Sequence, residues 1–386
     1  MSDVVRLGII GVGAMGTAHA KYVMDGAVAR CELTAVCDMN GRRLDTYPNP
    51  KHYIESTEMI RSGDIDAVLI ATPHYYHTTM GIDALNNGLH VLVEKPISVH
   101  KADCERLIAA HNNEKQIFAA MFNQRTTPVF RKLKQLIEAG ELGDIIRINW
   151  IITDWFRTEA YYAASDWRAT WKGEGGGVLL NQCPHQLDLM QWLFGMPLKV
   201  RAFCEFGSRH NIEVEDQVTA YMEFPGNVSS VFIASTGEAP GTNRLEIACE
   251  RGKVVLENGK LNWIRTEQMV NEFNKTSELG FALPEMWNVE IPASSVGPQH
   301  IGITQNFVDA ILDGTPLIAP AEEGIKSVEL ANAMIYSSLT ESTVVLPMDS
   351  AAYETKLNEL IVSSRHVKNV VQKKHEDLAS SWNRGK

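Results

Sequence analysis

An apolar run, Val4-Val5-Arg6-Leu7-Gly8-Ile9-Ile10, passes directly into Gly11-Val12-Gly13-Ala14-Met15-Gly16, the strand-then-glycine order that a pyrophosphate-binding turn requires. Gly11 permits the tight turn, Gly13 removes a side chain where backbone must approach phosphate, and Gly16 lets the next helix pack against the strand. That helix, expected to begin near Ala14 and Met15, aims unpaired N–H groups and the positive end of its dipole at an anion. Glycine spacing alone also suits an ordinary loop. A second apolar run narrows the reading: Leu33-Thr34-Ala35-Val36-Cys37 ends at Asp38, 22 residues beyond Gly16, where a carboxylate receives ribose hydroxyls. A chain that opens this way is expected to hold a dinucleotide.

At 386 residues the chain exceeds most single domains, so two domains sharing a cleft are expected. The 36 basic and 47 acidic side chains leave a formal charge of −11, which argues against nucleic acid or an anionic membrane as partner through bulk attraction. The six cysteines are scattered, with no C-x-x-C pair and no His/Cys cluster at zinc spacing. They read as reduced thiols of a cytoplasmic protein, and no metal is expected. The first apolar run has no basic leader, is interrupted by Arg6 and leads into the glycine turn, so it is a core strand and no signal peptide. No uninterrupted apolar segment is long enough to span a bilayer.

Residues 4–10, 33–37, 67–71, 90–93 and 117–121 read as strands alternating with helical patterns such as 79–85, the signature of a parallel sheet covered on both faces. A helix over 129–139 closes at Gly140, and the pattern then changes. Residues 144–150, 200–206, 217–224, 229–235, 244–249, 253–256 and 260–265 alternate apolar and polar, which describes a mainly antiparallel sheet with one covered face. Helices are expected over 178–194, 301–311 and 324–338. The expected division is a nucleotide-binding domain over 1–125, a substrate-binding and oligomerisation α/β domain over 126–363, and a loose charged extension over 364–386. The later helices are free to pack on either domain.

Three constellations carry chemistry. Glu94-Lys95-Pro96 follows the strand 90–93 and places a lysine at the carboxyl end of a parallel strand, where open α/β sheets put their ligands. Lys95 there can hydrogen-bond a substrate hydroxyl or polarise a carbonyl, although a surface lysine beside a turn proline fits as well. Pro96 also suits a cis peptide bond. Ala71-Thr72-Pro73-His74-Tyr75-Tyr76-His77 stops another strand at a proline, with Thr72, Pro73 and His77 placed to line a cofactor or to start a helix. In the third, Trp167-Arg168 precedes Gly175-Gly176-Gly177, and a helix then carries Asn181 and His185 four residues apart. His185 is the candidate general base with Asn181 orienting it, although a lone histidine on an amphipathic helix is commonly structural. Pro184 marks either a kink or a later helix start.

Gly11-x-Gly13-x-x-Gly16, Ala71-Thr72-Pro73 with His77, Glu94-Lys95-Pro96, Gly175-Gly176-Gly177 and His185-x-x-Asp188 together resemble the glucose–fructose oxidoreductase, inositol dehydrogenase and rhizopine-catabolism family over most of the chain. The resemblance implies an N-terminal Rossmann domain and a C-terminal α/β domain whose open sheet supports homodimers or homotetramers. It also implies an NAD or NADP cofactor and sugar or cyclitol substrates. By that similarity Lys95 contacts substrate and nicotinamide ribose, His185 is the acid/base, and Asp38 favours NAD, with Arg42 and Arg43 near enough to accommodate a 2′-phosphate. Glu94, Trp167 and Arg168 are expected to join Lys95 on the cofactor. Asn123, Arg157, Arg168, Trp171 and Lys172 are expected to line the substrate site with Lys95, Asn181 and His185, and the three cations suit a carboxylate, sulfonate or phosphate. Asn181 departs from the aspartate that many members carry, and an amide cannot stabilise imidazolium by charge. The expected activity is therefore NAD-linked oxidation of a ring hydroxyl. Two alternatives are a redox-neutral oxidoreductive glycosidase of the sulfoquinovosidase kind and a non-catalytic nucleotide- and sugar-sensing protein.

Overall fold

The computed structural model describes residues 3–293, 296–368 and 370–371. Six strands, β1 (Val5–Ile10), β2 (Cys31–Cys37), β3 (Lys51–Tyr53), β4 (Ala67–Ile70), β5 (His90–Val93) and β6 (Phe118–Ala120), pair in parallel in the order β3-β2-β1-β4-β5-β6. All four residues of β4 are buried because helices cover both faces, which is why the central strands are continuously apolar. The chain winds outward from β1 to β3 and then returns to start again at β4, so a crevice opens where the two directions part. The glycine turn follows β1 and Thr72-Pro73 follows β4, on the two walls of that crevice.

Nine strands form the second sheet: β7 (Ile145–Ile152), β8 (Lys199–Phe206), β9 (Glu215–Phe224), β10 (Val228–Ser235), β11 (Asn243–Cys249), β12 (Gly252–Glu257), β13 (Lys260–Thr266), β14 (Met286–Ile291) and β15 (Val344–Val345). Their order is β14-β13-β12-β11-β7-β10-β9-β8-β15, and only β7 with β10 pairs in parallel. In β9, buried Val218, Ala220, Met222 and Phe224 alternate with exposed Thr219, Tyr221 and Glu223, the period of a sheet with one covered face. Leu187 and Met190 of the helix Pro184–Phe194, and Leu330 and Met334 of the helix Gly324–Leu339, share the core beneath it. Fold class and architecture therefore agree with the alternation of the sequence.

Three features differ from expectation. The helix expected from residue 178 begins at Pro184, whose missing N–H and fixed φ suit a first helical position, while residues 178–183 form tight turns with Cys183 bonded back to the Val178 carbonyl at 2.8 Å. Residues 126–363 do not pack as one unit: Ile303, Phe307 and Val308 of the helix Gln299–Asp313 join the core of the parallel sheet. The start of the expected loose extension is held, since the Val371 N–H donates to the Ala163 carbonyl at 3.0 Å and Lys368 donates to the Arg168 carbonyl. Residues 369 and 372–386 of that segment lie outside the described residues. β3, β14, β15 and the helix Ser350–Ser363 have no counterpart in the sequence reading. None of the six cysteines is in a disulfide, and among the described residues no helix is long and apolar enough to cross a membrane.

Candidate active site

The glycines at the crevice divide between close packing and open backbone. A Cβ on Gly16 would stand 1.8 Å from the Gly11 carbonyl oxygen, so the helix Ala14–Met24 reaches the strand only through glycine. Around Gly13 the nearest atom is an Arg43 nitrogen at 4.0 Å, leaving its backbone open to an approaching phosphate. No side chain caps this helix, so the first-turn N–H groups of Ala14 and Met15 remain available to an anion. Asp38, at the end of β2, accepts from the Val12 N–H at 3.1 Å and the Asn40 N–H at 2.9 Å, which fixes its carboxylate beside the glycine turn. Arg42 and Arg43 are both exposed, and Arg43 is the one that pairs with the carboxylate, at 3.2 Å. Thr72 Oγ1 and His74 Nδ1 are buried and have no hydrogen-bond partner among the described residues. Donors and acceptors of that kind fit the polar groups of a bound nucleotide.

Two expected cofactor residues have their polar atoms engaged within the protein. Both ring nitrogens of His77 are engaged by backbone carbonyls, Pro96 at 2.7 Å and Thr72 at 2.8 Å, so the ring ties the loop after β4 to the loop after β5. Glu94 meets His19 of the helix Ala14–Met24 at 2.8 Å and accepts from the Lys95 N–H at 3.0 Å. Burial alone would raise its carboxyl, but the His19 contact and the nearby His300 and Lys95 hold it down at about 2. No sequence pattern linked residues 19, 94 and 300, because contact between them exists only across three elements.

Lys95 follows directly, joined to Pro96 by a cis peptide bond. Its Nζ crosses to the second domain and donates to the Asn181 carbonyl at 2.9 Å. Burial lowers its pKa, and Arg168 and Arg157 push the same way against Glu94 and Glu174. The turn it reaches leads immediately into the helix Pro184–Phe194, whose first turn carries His185, 3% exposed with its ring edge-on to Phe122 at 6.4 Å. Asp188, one turn further, forms a two-pronged ion pair with Arg125 at 2.8 and 2.6 Å. Lys95 of the first domain is thus tied to the turn that leads into His185 of the second.

Asn181 does not orient His185 as expected. With the helix starting at Pro184, its side chain points back, its amide nitrogen donating to Glu174 and its oxygen accepting from the Tyr161 hydroxyl at 3.3 Å. Arg168 lies over the Tyr161 ring at 4.4 Å and the Trp167 ring at 4.7 Å, and Arg157 over Tyr161 at 5.0 Å, a stack of two guanidiniums sharing one phenol. Trp167 also meets His74 edge-on at 5.9 Å. Trp171 is a correction: its ring is buried in the second core against Phe206 at 5.7 Å, and only its backbone serves the neighbourhood, accepting from the Tyr75 hydroxyl at 2.8 Å. Lys172 is exposed, and among the described residues it has no part in the stack. Asn123 gives its amide nitrogen to Gln299 at 2.7 Å and leaves its oxygen buried without a partner among the described residues. Glu174, Tyr161 and His74 were missed, although an acid set among glycines in Gly173-Glu174-Gly175 was a signal for the first of them.

Residues 5–122 match the oxidoreductase family, NAD-binding Rossmann fold, and residues 130–255 match the GFO/IDH/MocA C-terminal domain. The chain belongs to the GFO/IDH/MocA oxidoreductase family. Its first domain is accordingly an NAD-binding Rossmann domain. Within the family it is 31% identical over 192 residues to the rhizopine catabolism protein MocA of Rhizobium meliloti, covering 49% of this chain and 57% of that one. It is 28% identical over 201 residues to inositol 2-dehydrogenase of Salmonella typhimurium, covering 50% of this chain and 56% of that enzyme. These matches thus span little more than half the length of those relatives. Inositol 2-dehydrogenase of Corynebacterium glutamicum is 22% identical over 340 residues, 83% of this chain and 89% of that one. Two solved structures share the fold. WlbA dehydrogenase of Bordetella pertussis, in complex with NADH and UDP-GlcNAcA, superposes with a TM-score of 0.75 at 23% identity over 90% of this chain and 100% of its own. Levoglucosan dehydrogenase, in complex with NADH and levoglucosan, gives 0.75 at 21% identity over 89% and 100%.

Proposed function

We propose that this GFO/IDH/MocA protein is an NAD-linked dehydrogenase that oxidises a ring hydroxyl of a sugar, a cyclitol or a derivative of one. The observation that carries the reading is the Lys95 ammonium, rooted in the cofactor crevice and hydrogen-bonded at 2.9 Å to the turn that leads into His185. NAD, when bound, supplies the acceptor for the hydride that leaves the carbinol carbon. Lys95 donates to the hydroxyl oxygen and steadies the charge that develops there, while His185 takes the hydroxyl proton. Asn181 contributes through its carbonyl, which aims the lysine. Gly11, Gly13, Ala14, Met15 and Gly16 hold the pyrophosphate, and Asp38 receives the ribose hydroxyls and so favours NAD over NADP. Thr72, Pro73 and Trp167 border the nicotinamide end. The names of the relatives, inositol and levoglucosan dehydrogenases among them, support a polyhydroxylated ring as substrate.

Arg157 and Arg168, stacked on Tyr161, favour a substrate bearing a carboxylate, sulfonate or phosphate. The test is a panel of neutral and anionic sugars, cyclitols and glycosides incubated with NAD, with nicotinamide reduction and aglycone release followed together. Steady NADH formation on at least one ring alcohol supports the dehydrogenase. Aglycone release without net NADH would replace that reading with a redox-neutral glycosidase, and binding without turnover would replace it with a sensor.

A further inference from the structure

Glu174 is 1% exposed and lies directly before the glycine triplet Gly175-Gly176-Gly177 that opens the turn toward His185. One carboxylate oxygen accepts from the Asn181 amide, and the other accepts from the Ala169 N–H at 2.6 Å. Arg168 stands 3.9 Å from the first oxygen. Asn181 is thus gripped at both ends, its side chain by Glu174 and its carbonyl by the Lys95 ammonium. A carboxylate buried this deeply is retained at a cost unless it answers nearby positive charge. The charged groups around it are Lys95, Arg168, Lys368 and the buried Glu215 carboxyl, and those around Lys95 are Glu94, Glu174, Arg168 and Arg157, with His74, His77 and His300 close by. On the Lys95 side two carboxylates face two guanidiniums, so removal of either acid leaves the ammonium in a net cationic surround.

We propose that Glu174 is the positioning residue and counter-charge of Lys95, acting through Asn181. Burial tends to raise the Glu174 carboxyl, and Arg168, the Ala169 N–H and the Asn181 amide oppose that rise. The inference rests on the dehydrogenase reading for its meaning in turnover, and its test is independent of substrate. Competitive acetylation with acetic anhydride across pH, read by mass spectrometry of the Lys95 peptide, yields the titration midpoint of that lysine in the full chain. Glu174→Gln keeps size and one acceptor but removes the charge. The expected result is a Lys95 midpoint lowered by about one unit, the scale of losing one nearby opposite charge, with restoration toward the parent value in Glu174→Gln/Asn181→Asp. A midpoint unchanged in a cooperatively folding, NADH-binding Glu174→Gln protein overturns the proposal. Should that variant not fold, Asn181→Leu decides, since it cuts the Glu174 grip and keeps the carbonyl that Lys95 uses: a lowered midpoint supports the proposal and an unmoved one overturns it. Failure of every sugar in the panel would remove the dehydrogenase reading while leaving this measurement intact.

Discussion

The Arg125 guanidinium grips the Asp188 carboxylate with two hydrogen bonds, 2.8 Å from Nε and 2.6 Å from a terminal nitrogen, and both side chains are 1% exposed. Arg125 belongs to the turn after β6 and Asp188 to the helix that carries His185, so the pair sets the height of that helix against the Rossmann sheet. Asp188→Ala leaves a buried guanidinium with the partly exposed Glu323 carboxylate and the Ile318 carbonyl as its remaining hydrogen-bond partners among the described residues, and a loss of about 3–5 kcal/mol is expected. Urea unfolding measures it, and a loss below about 1 kcal/mol, the scale of an exposed pair, would contradict the structural role.

The glycine turn separates stability from binding. Gly16→Ala drives a methyl into the Gly11 carbonyl at 1.8 Å and should lower the unfolding midpoint, whereas Gly13→Ala meets nothing closer than 4.0 Å. For Gly13→Ala the expected outcome is an unfolding midpoint close to the parent with NADH affinity weakened by about tenfold or more, a cost of about 1.4 kcal/mol. Fluorescence titration with NADH checks this, and unaltered affinity would place the pyrophosphate elsewhere.

Lys95→Met retains the length of the side chain and removes its proton and charge. Turnover on a substrate identified from the panel should drop by about 10²–10⁴-fold, the range for a positioned proton donor, with NADH affinity within a factor of about two. Equal turnover in parent and variant would assign Lys95 to packing alone.

Acid should weaken the protein in two stages. His300, driven down chiefly by burial, sits at about 4 against an ordinary 6.5, and Glu94 sits at about 2 against 4.5. Both folded values lie below the unfolded ones, so each contribution is complete above the ordinary value and is lost as pH falls through the folded one. The His300 share therefore declines between about 6.5 and 4, before the Glu94 share declines between about 4.5 and 2. Thermal unfolding from pH 7.5 to 4 should slope downward in the parent and less steeply in His300→Leu. Identical slopes would show that the His300 ring does not titrate as its burial demands.

The outer face of the second sheet bears Phe203, 62% exposed, and Tyr221, 46% exposed, on adjacent strands. We expect this face to join copies of the chain into a homodimer or homotetramer. Light scattering of Phe203→Asp/Tyr221→Asp should report a smaller particle than the parent, and a monomeric parent would refute the expectation.

Residues 5–10, 67–70 and 90–93 were legible because strands buried on both faces are predominantly apolar, Arg6 apart, and Gly11 and Gly16 meet a steric need that a side chain would violate. The alternation in β9 exposed the second sheet for the same reason, since period and burial are linked within one strand. Side-chain direction was not legible where the partner lies far along the chain. Asn181 turns to Glu174 because Pro184 delays the helix, His77 spends both nitrogens on carbonyls from two separate loops, and Trp171 enters a core closed by Phe206. Local pattern carries the elements, because hydrophobic periodicity is a property of neighbours in sequence. Which carboxylate answers Lys95, and which arginine faces Asp38, depends on contacts made only when distant segments pack, and no periodicity encodes them.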